Sequence, residues 1–304
     1  MECPMPNKEF RRSKLEVLGC SSHFNFRHSL LGIGHSIPSL APLSAERLQL
    51  YQPPISNERR YMLGQVAPTQ YDMRFVLFGI SVRVHPLFWL IAAAIGFGGA
   101  TDAALDLNSN PVTVVVIWVA CMFLSILVHE FGHALVAKWF GWHPHIVLHS
   151  FGGYAAYQPG WDNTAGKSIL IALAGPFAGF ILLGIPSIGG LVAVGVWGLP
   201  SYRVFDFLPI VLKYLSWINI VWGVINLLPV FPLDGGRVCS EICRKLSPPN
   251  GDRITYQIGM VIAGGVAAFF LFGPLVRMPI AAMMFAFLGF QNYQAMQMSG
   301  RGYY

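Results

Sequence analysis

The sequence predicts an all-α polytopic membrane protein of about six transmembrane helices, with a small membrane-associated β-hairpin or loop after the second helix. Of its 304 residues, 54% are hydrophobic and only 11% are charged, whereas a soluble domain carries about 25% charged residues. Several apolar stretches approach the ~20 residues that a helix needs to cross a bilayer. The hairpin prediction depends on the alternating residues 145–151, which two glycines follow.

The positive charge is distributed unevenly along the chain. The formal net charge is +6, and ten of the 20 Lys and Arg precede Pro86. This asymmetry indicates orientation in a membrane and argues against nucleic-acid binding. With six spans both termini lie on one side, which holds nearly all Lys and Arg. We therefore expect a multi-pass protein of the cell membrane with both termini in the cytoplasm.

The N-terminal segment differs from the rest of the chain. Residues 1–72 are polar and basic without a sustained apolar period, which predicts disorder or a misassigned start, with translation beginning at Met73. Residues 73–293 form the membrane domain, and residues 294–304 form a cytoplasmic tail. The first helix covers residues 86–99 and is short for a span, so we expect it to start near Val82.

The remaining helices follow from the apolar stretches. Residues 189–198 are too short to span alone and are interpreted as an extension of the third helix or a partly embedded loop. Two prolines break the fourth helix at its end and supply non-helical backbone at membrane depth. The second to sixth helices are predicted at residues 112–140, 168–185, 207–228, 256–272 and 279–290.

Two histidines and a glutamate lie near the end of the second predicted helix, in His129-Glu130-Phe131-Gly132-His133. The two imidazoles share one helical face, one turn apart, and can reach a single metal ion. Glu130 projects from nearly the same face and can accept a proton from a metal-activated water. Ionisable side chains at membrane depth are costly unless they serve a function. The pattern predicts an intramembrane metallohydrolase with its site near the cytoplasmic face.

A catalytic zinc needs a third protein ligand and an open fourth position. Asp234 lies within the proline break, at the same predicted depth as the histidines, so it is the favoured third ligand. His145 and His149 of the hairpin remain alternative ligands, although a polar, water-facing strand face is the simpler interpretation. The expected cofactor is one Zn²⁺ per chain.

Three further residues are candidates for substrate binding. Asn226 could hydrogen-bond the substrate backbone or the developing oxyanion, or form an interhelical hydrogen bond in the bundle. The hairpin that contains Gly152 and Gly153 could present its edge to a substrate strand by β-augmentation, or it could only cover the site.

These motifs closely resemble those of the site-2 protease family of intramembrane zinc metalloproteases, in its compact six-helix form. The resemblance covers about residues 73–293. It implies His129, His133 and Asp234 as zinc ligands and Glu130 as the base. It also implies hydrolysis of peptide bonds in or near transmembrane segments of substrate proteins. The matching segments are His129-Glu130-Phe131-Gly132-His133, Asn226-Leu227-Leu228-Pro229 and Leu233-Asp234-Gly235-Gly236, with Gly152-Gly153 and Gly175-Pro176 as secondary glycine motifs.

Two other functions compete with this interpretation. A proteolytically inactive, metal-binding membrane adaptor would have no use for the intact Glu130. A transporter would be expected to contain internal repeats, whereas the histidine and aspartate motifs each occur once. The sequence predicts membrane-protein substrates in a lipid bilayer, but it identifies neither the substrate nor the oligomeric state.

Overall fold

The computed structural model describes residues 67–106, 109–150, 152–198, 206–273 and 278–299. Most of the predicted N-terminal extension and the end of the predicted tail lie outside these residues. The strands are β1 (Met73–Leu77), β2 (Ile80–Val84), β3 (His145–His149) and β4 (Gly152–Ala156). The helices are α1 (Pro86–Asp106), α2 (Pro111–Trp139), α3 (Ala165–Gly179), α4 (Ile185–Trp197), α5 (Leu208–Trp217), α6 (Gly223–Asn226), α7 (Asp234–Leu246), α8 (Gly251–Phe272) and α9 (Pro279–Ser299).

The chain is mostly helical, as predicted, but its β structure is larger than the predicted hairpin, because four strands form one sheet in the order β1-β2-β3-β4. The predicted hairpin after the second helix corresponds to β3 and β4, which pair antiparallel. It is half of a larger sheet, since β2 pairs parallel with β3 and antiparallel with β1. The alternation of Ile80, Val82 and Val84, all buried, is the strand pattern that the sequence analysis missed.

The first helix begins at Pro86, so the predicted earlier start near Val82 was wrong. Val82 belongs to β2, where it pairs with Phe75 and Ile146. Proline is favoured in the first turn of a helix because its missing N–H is not needed there. A two-residue turn, Phe78-Gly79, joins β1 to β2 with both φ angles positive, at 53° and 68°. This is the conformation that a tight hairpin prefers.

One face of the sheet packs on α2. Apolar side chains from β2, β3 and β4 form a buried cluster with the second half of α2 and with Phe88 of α1. This cluster fixes the sheet beside the helical turn that carries the histidine pair. Its members are Ile80, Val82, Val84, Phe88, Ile126, Leu127, Phe131, Ala134, Ile146, Leu148 and Ala155.

Four helical stretches among the described residues are long and apolar enough to cross a membrane. The apolar part of α1, Pro86–Phe97, is shorter than these spans, so the predicted count of six is not confirmed. Large apolar side chains on these stretches are exposed, as expected for lipid-facing surfaces: Val116 is 62% exposed and Phe272 is 76% exposed. The four stretches are Pro111–Trp139, Ala165–Trp197, Leu208–Asn226 and Gly251–Phe272.

The third predicted helix is longer than expected. A π-helical turn, Phe180–Gly184, connects α3 directly to α4, so the apolar residues 189–198 continue this span rather than forming a loop. A second π-helical turn, Ile218–Trp222, joins α5 to α6. Asn219 in this turn donates its amide to Ser125 Oγ of α2 at 2.9 Å, which links the two spans.

The break after the fourth predicted helix covers residues 227–233. Asp234 was predicted to lie within this break. It is instead the first residue of α7. Leu233 precedes the helix in an extended conformation, with φ −60° and ψ 161°. The polar residues that follow form this amphipathic helix, which the sequence analysis did not predict.

The folded part extends slightly beyond the predicted domain boundaries at residues 73 and 293. Asp72 Oδ2 forms a salt bridge with Arg83 Nη1 of β2 at 3.0 Å. This salt bridge connects the segment before β1 to the sheet. At the other end, α9 continues to Ser299. The last helix therefore includes a polar half that the sequence analysis assigned partly to the tail.

Candidate metal centre

The two histidines of α2 point to one position beside α3. His133 Nδ1 lies 2.7 Å from the carbonyl oxygen of Ile171. Since a carbonyl can only accept, this nitrogen carries the proton and leaves Nε2 with a free lone pair. Such a hydrogen bond to the second ring nitrogen is how proteins fix the tautomer of a metal-binding histidine.

Three candidate ligand atoms converge there. His129 Nε2 and His133 Nε2 lie 3.1 Å apart, and Asp234 Oδ2 lies 3.1 Å from the first and 3.3 Å from the second. His129, His133 and Asp234 are the one group of three potential ligands found among the described residues. His133 and Asp234 are buried, and His129 is half-buried.

Two glycines, one on α2 and one on α3, permit the close approach of these helices on the histidine side. A Cβ at Gly175 would lie 2.2 Å from His133 Nε2, which is far inside contact distance, so only glycine leaves room for the imidazole. A Cβ at Gly132 of α2 would lie 2.4 Å from the carbonyl oxygen of Ala174. The two glycines let α2 and α3 pack closely at the depth of the metal ligands.

Two glycines perform the same role on the aspartate side. A Cβ at Gly235 would lie 2.1 Å from the Leu227 carbonyl oxygen, and one at Gly236 would lie 2.6 Å from Val230 and Phe231 backbone atoms. The first turn of α7 is therefore seated directly on the backbone of the break. This contact carries Asp234 to the histidines, although 105 residues separate it from His129.

Glu130 lies next to the ligands and is 5% exposed. Its side chain packs against β4, because a Cβ at Gly153 would lie 2.7 Å from Glu130 Cγ and 2.9 Å from Glu130 Oε1. Among the described residues no hydrogen-bond partner is found for its carboxyl group. Gly153 thus brings the edge strand of the sheet within contact distance of the candidate base.

The other two candidate substrate residues differ in their surroundings. Asn226, the last residue of α6, is buried, and within the described ranges its side-chain amide has no hydrogen-bond partner. The interhelical hydrogen bond considered for it is therefore not found there. Gly152 begins β4 with φ +120°, and a Cβ there would have no neighbour within 4 Å, so this glycine serves the turn.

The hairpin histidines are not part of the three-ligand group. His145 is exposed, and the ring of His149 lies 5.6 Å from the ring of Tyr154. Burial lowers the pKa of His149, and the nearby His85 and Arg83 lower it further. Burial and then Arg83 likewise lower the pKa of His145. The prediction that these residues form a water-facing strand face is wrong for His149, which is buried.

Two contributors to the site were missed from the sequence. The Ile171 carbonyl that orients His133 is a backbone group, and no residue type marks it. Asn292 of α9 is 1% exposed and donates its amide to the Phe231 carbonyl oxygen at 2.7 Å. A single asparagine in an apolar helix was a visible clue, but its partner lies in the break and only the structure identifies it.

A comparison with known protein families agrees with this arrangement. Residues 185–266 match the sequence model of peptidase family M50, and this range contains both Asn226 and Asp234. The chain is therefore similar to the site-2 protease family. This is a family of zinc metalloproteases. The three converging side chains are consistent with a zinc site.

Several curated proteins are similar to most of the chain. A zinc metalloprotease of Methanocaldococcus jannaschii is 29% identical over 198 residues, which are 64% of this chain and 52% of that protein. Stage IV sporulation protein FB of Bacillus subtilis is 25% identical over 228 residues, which are 71% of this chain and 67% of that protein. The chain thus spans about half the length of the archaeal relative and 55% of a Synechocystis relative.

One solved structure is also similar to this chain. It is a site-2 protease from Methanocaldococcus jannaschii, with 27% sequence identity and a TM-score of 0.47. The match covers 74% of this chain and 95% of that chain.

The chemistry of the three side chains fits zinc. Imidazole nitrogens and a carboxylate oxygen are among the ligands that Zn²⁺ takes in proteins, and three protein ligands are the number found in catalytic sites. The hydrogen bond from His133 to Ile171 supplies the outer support that such ligands use.

Proposed function

We propose that this protein belongs to the site-2 protease family and is a zinc-dependent intramembrane endopeptidase that hydrolyses peptide bonds in or near transmembrane segments of other proteins. The observation that carries the proposal is the convergence of three ligand atoms within 4.8 Å of one another, directly beside a buried glutamate. An adaptor that only binds metal would not require Glu130 at this position.

In this proposal His129, His133 and Asp234 hold one zinc ion per chain. A zinc ion bound there would leave a fourth position for water and would make that water a nucleophile near neutral pH. The Ile171 carbonyl keeps the His133 proton on Nδ1, so that Nε2 presents its lone pair. Asp234 compensates charge from the opposite side of the site.

Glu130 acts as the general base. It accepts a proton from the attacking water and passes it to the amine that leaves when the peptide bond breaks. Its carboxyl group has no hydrogen-bond partner among the described residues, so its oxygens are available for this transfer. The contact with Gly153 limits the directions in which the side chain can turn.

The substrate binds as an extended strand beside β4 in this proposal. In the described part of the sheet β4 pairs only with β3, so its other edge can offer backbone N–H and C=O groups to a peptide. Gly152 and Gly153 leave the start of that strand without side chains, and Gly153 lies beside the base. Asn226, whose amide has no partner in the described ranges, donates to the substrate backbone or to the developing oxyanion. A transmembrane helix must therefore unwind before it is cut.

The orientation is part of the same proposal. Both termini and the metal-binding end of α2 lie on the cytoplasmic side of the cell membrane, because Lys and Arg are concentrated there. Lys138, one residue before the end of α2, donates to the Phe78 carbonyl oxygen at 2.7 Å and is exposed. Lys138→Cys and Leu246→Cys, each as the single cysteine of the chain, would test the orientation. We expect a thiol reagent that does not cross membranes to label them in permeabilised cells and not in intact cells.

The function is tested by metal analysis and cleavage on the full chain in detergent. Wild type and Glu130→Gln are purified in parallel, and zinc content is measured beside cleavage of a panel of single-span peptides in micelles. We expect one zinc per chain in both proteins and a loss of cleavage of about 10²–10⁴-fold in the variant, the usual contribution of a general base.

Other outcomes identify other functions. Normal cleavage by Glu130→Gln would disprove the assigned mechanism. Zinc binding without cleavage of any peptide by wild type would instead favour the inactive metal-binding adaptor. Absence of bound zinc in wild type would contradict the metal site itself.

A further inference from the structure

A buried asparagine on the last helix contacts the break that precedes Asp234. Asn292 of α9 is 1% exposed, and its Nδ2 donates to the Phe231 carbonyl oxygen at 2.7 Å and to the Leu288 carbonyl oxygen at 2.8 Å. The second bond lies within its own helix, whereas the first connects α9 to residues 227–233. Asn292 thus satisfies a carbonyl that lies outside any helix or strand, at a break in apolar surroundings.

The amide is also confined from the opposite side. A Cβ at Gly259 of α8 would lie 2.4 Å from Asn292 Oδ1, so only glycine leaves room for the amide there. This oxygen has no hydrogen-bond partner among the described residues. A buried polar atom without a partner is costly, so the orientation of the amide is not explained by satisfaction of its own oxygen. It is explained by the amide nitrogen Nδ2, which donates to the Phe231 carbonyl oxygen in the break.

The carbonyl that Asn292 holds belongs to the backbone on which Asp234 is mounted. Gly236 of α7 is in contact with backbone atoms of Val230 and Phe231, and Leu233 N donates to the Val230 carbonyl oxygen at 2.8 Å. A displacement of Phe231 is therefore transmitted to the first turn of α7. Asp234 is the first residue of that turn.

We infer that Asn292 is a positioning residue that sets the place of Asp234 in the metal site by holding the Phe231 carbonyl. The inference rests on the proposed function, in which Asp234 is a zinc ligand. It assigns to α9 a direct mechanical connection to the metal centre, although no α9 residue belongs to the ligand group. We call the pair Asn292 and Gly259 the clamp, because Gly259 of α8 leaves the space that the Asn292 amide occupies.

The first test measures zinc affinity rather than cleavage. Asn292→Leu is compared with Asn219→Leu by chelator competition on the full chain in detergent. Asn219 is a matched control: it is also buried and also donates to one carbonyl of its own helix and to one group on another helix. We expect zinc affinity to fall about 10-fold in Asn292→Leu, at the lower end of the usual outer-shell effect. Asn219→Leu should lose thermal stability without this fall.

A second readout separates positioning from general damage. Cobalt(II) bound in place of zinc reports ligand geometry through its visible absorption spectrum. Asn292→Leu should change this spectrum, and Asn219→Leu should leave it as in wild type. Equal zinc affinities and equal cobalt spectra in the two variants would overturn the inference.

A double-mutant cycle tests the clamp even if Asn292→Leu fails to fold. Gly259→Ala directs a methyl group at the amide oxygen, whereas Gly264→Ala on the same helix places its Cβ where no atom lies within 4 Å. We expect Gly259→Ala to weaken zinc binding several-fold and Gly264→Ala to leave it unchanged. In an Asn292→Ala background, Gly259→Ala should have no further effect on zinc affinity.

The failure of the inference can be distinguished from the failure of the proposed function. A wild-type protein that binds no zinc would contradict the proposed function. A wild type that binds zinc, with Gly259→Ala equally harmful in both backgrounds, would contradict only the role of Asn292.

Discussion

The two sides of the metal centre are built in different ways. On the histidine side the ligands lie four residues apart on the regular helix α2, and helical geometry alone brings their rings together. On the aspartate side the ligand follows an irregular break, and its place depends on contacts of Gly235 and Gly236 with the backbone of that break. Local structure specifies one side, and tertiary packing specifies the other.

This difference has a consequence for mutational sensitivity. A side chain on a long helix keeps its direction when a distant contact is lost, because the backbone hydrogen bonds of the helix hold it. Asp234 lies at the first position of α7, where such bonds are not yet complete. Remote substitutions should therefore move Asp234 more readily than they move His129 or His133.

The largest expected effect comes from removal of a ligand on either side. His133→Ala and Asp234→Ala should each lower zinc affinity more than 100-fold, beyond the roughly 10–100-fold typical of outer-shell partners. Asp252→Ala is a control, because Asp252 is an acidic residue that pairs with Arg244 at 2.6 Å. Chelator competition measures all three variants. Retention of full zinc affinity by Asp234→Ala would move the third ligand elsewhere.

A smaller effect is expected when the ligands stay but the room for one is removed. Gly175→Ala places a methyl group 2.2 Å from His133 Nε2, so the imidazole must leave its present position. Zinc affinity should fall about 10–100-fold, and overpacking should cost about 1–3 kcal/mol of stability. Gly189→Ala, at an open position in the same span, should change neither quantity. Wild-type zinc affinity in Gly175→Ala would show that the histidine side tolerates displacement.

The same contrast explains what the sequence could predict. The histidine pair, Glu130 and α2 follow from spacing and from an apolar stretch, and α2 begins within one residue of its predicted start. Asp234 was identified as a candidate because the sequence offers no other partner for a carboxylate in a proline-broken helix end at membrane depth. Its contact with the histidines depends on packing between residues that are far apart in sequence.

The misses have the same origin. The strands β1 and β2 are five residues each, and strands this short gain stability from their neighbours rather than from their own sequence. The parallel pairing of β2 with β3 joins segments on either side of α1 and α2, which no local pattern reveals. Asn292 was missed for the same reason, because its partner is a backbone carbonyl 61 residues away.

A third expectation concerns the base rather than the ligands. Gly153→Ala directs a methyl group at Glu130 Cγ from 2.7 Å, and it touches none of the three candidate ligands. Zinc affinity should remain within twofold of wild type, while kcat for a cleaved peptide should fall about 10-fold, because a displaced base transfers protons poorly. Loss of zinc in this variant would indicate that β4 supports the ligands as well as the base. Unchanged kcat would mean that the contact with β4 does not position Glu130.

The smallest effect is expected at the hairpin histidine that the sequence left as an alternative ligand. Since His149 is outside the three-ligand group, His149→Gln should keep wild-type zinc affinity. Loss of zinc in this variant would mean that the sheet supplies a ligand. The description of the site as one histidine side and one aspartate side would then be wrong.

The same variant should alter the pH dependence of stability. Burial, with His85 and Arg83 nearby, holds the pKa of His149 below its ordinary value, so the folded chain binds fewer protons than the unfolded chain just below about pH 6.5. The stabilising effect of the neutral ring is complete above that pH and is lost as the pH falls towards the folded-state pKa. Thermal unfolding of both proteins between pH 7.5 and about pH 5 should show a smaller decline in Tm for His149→Gln. An equal decline would mean that protonation of His149 does not oppose folding, and that the cationic residues around it accept the added charge without cost.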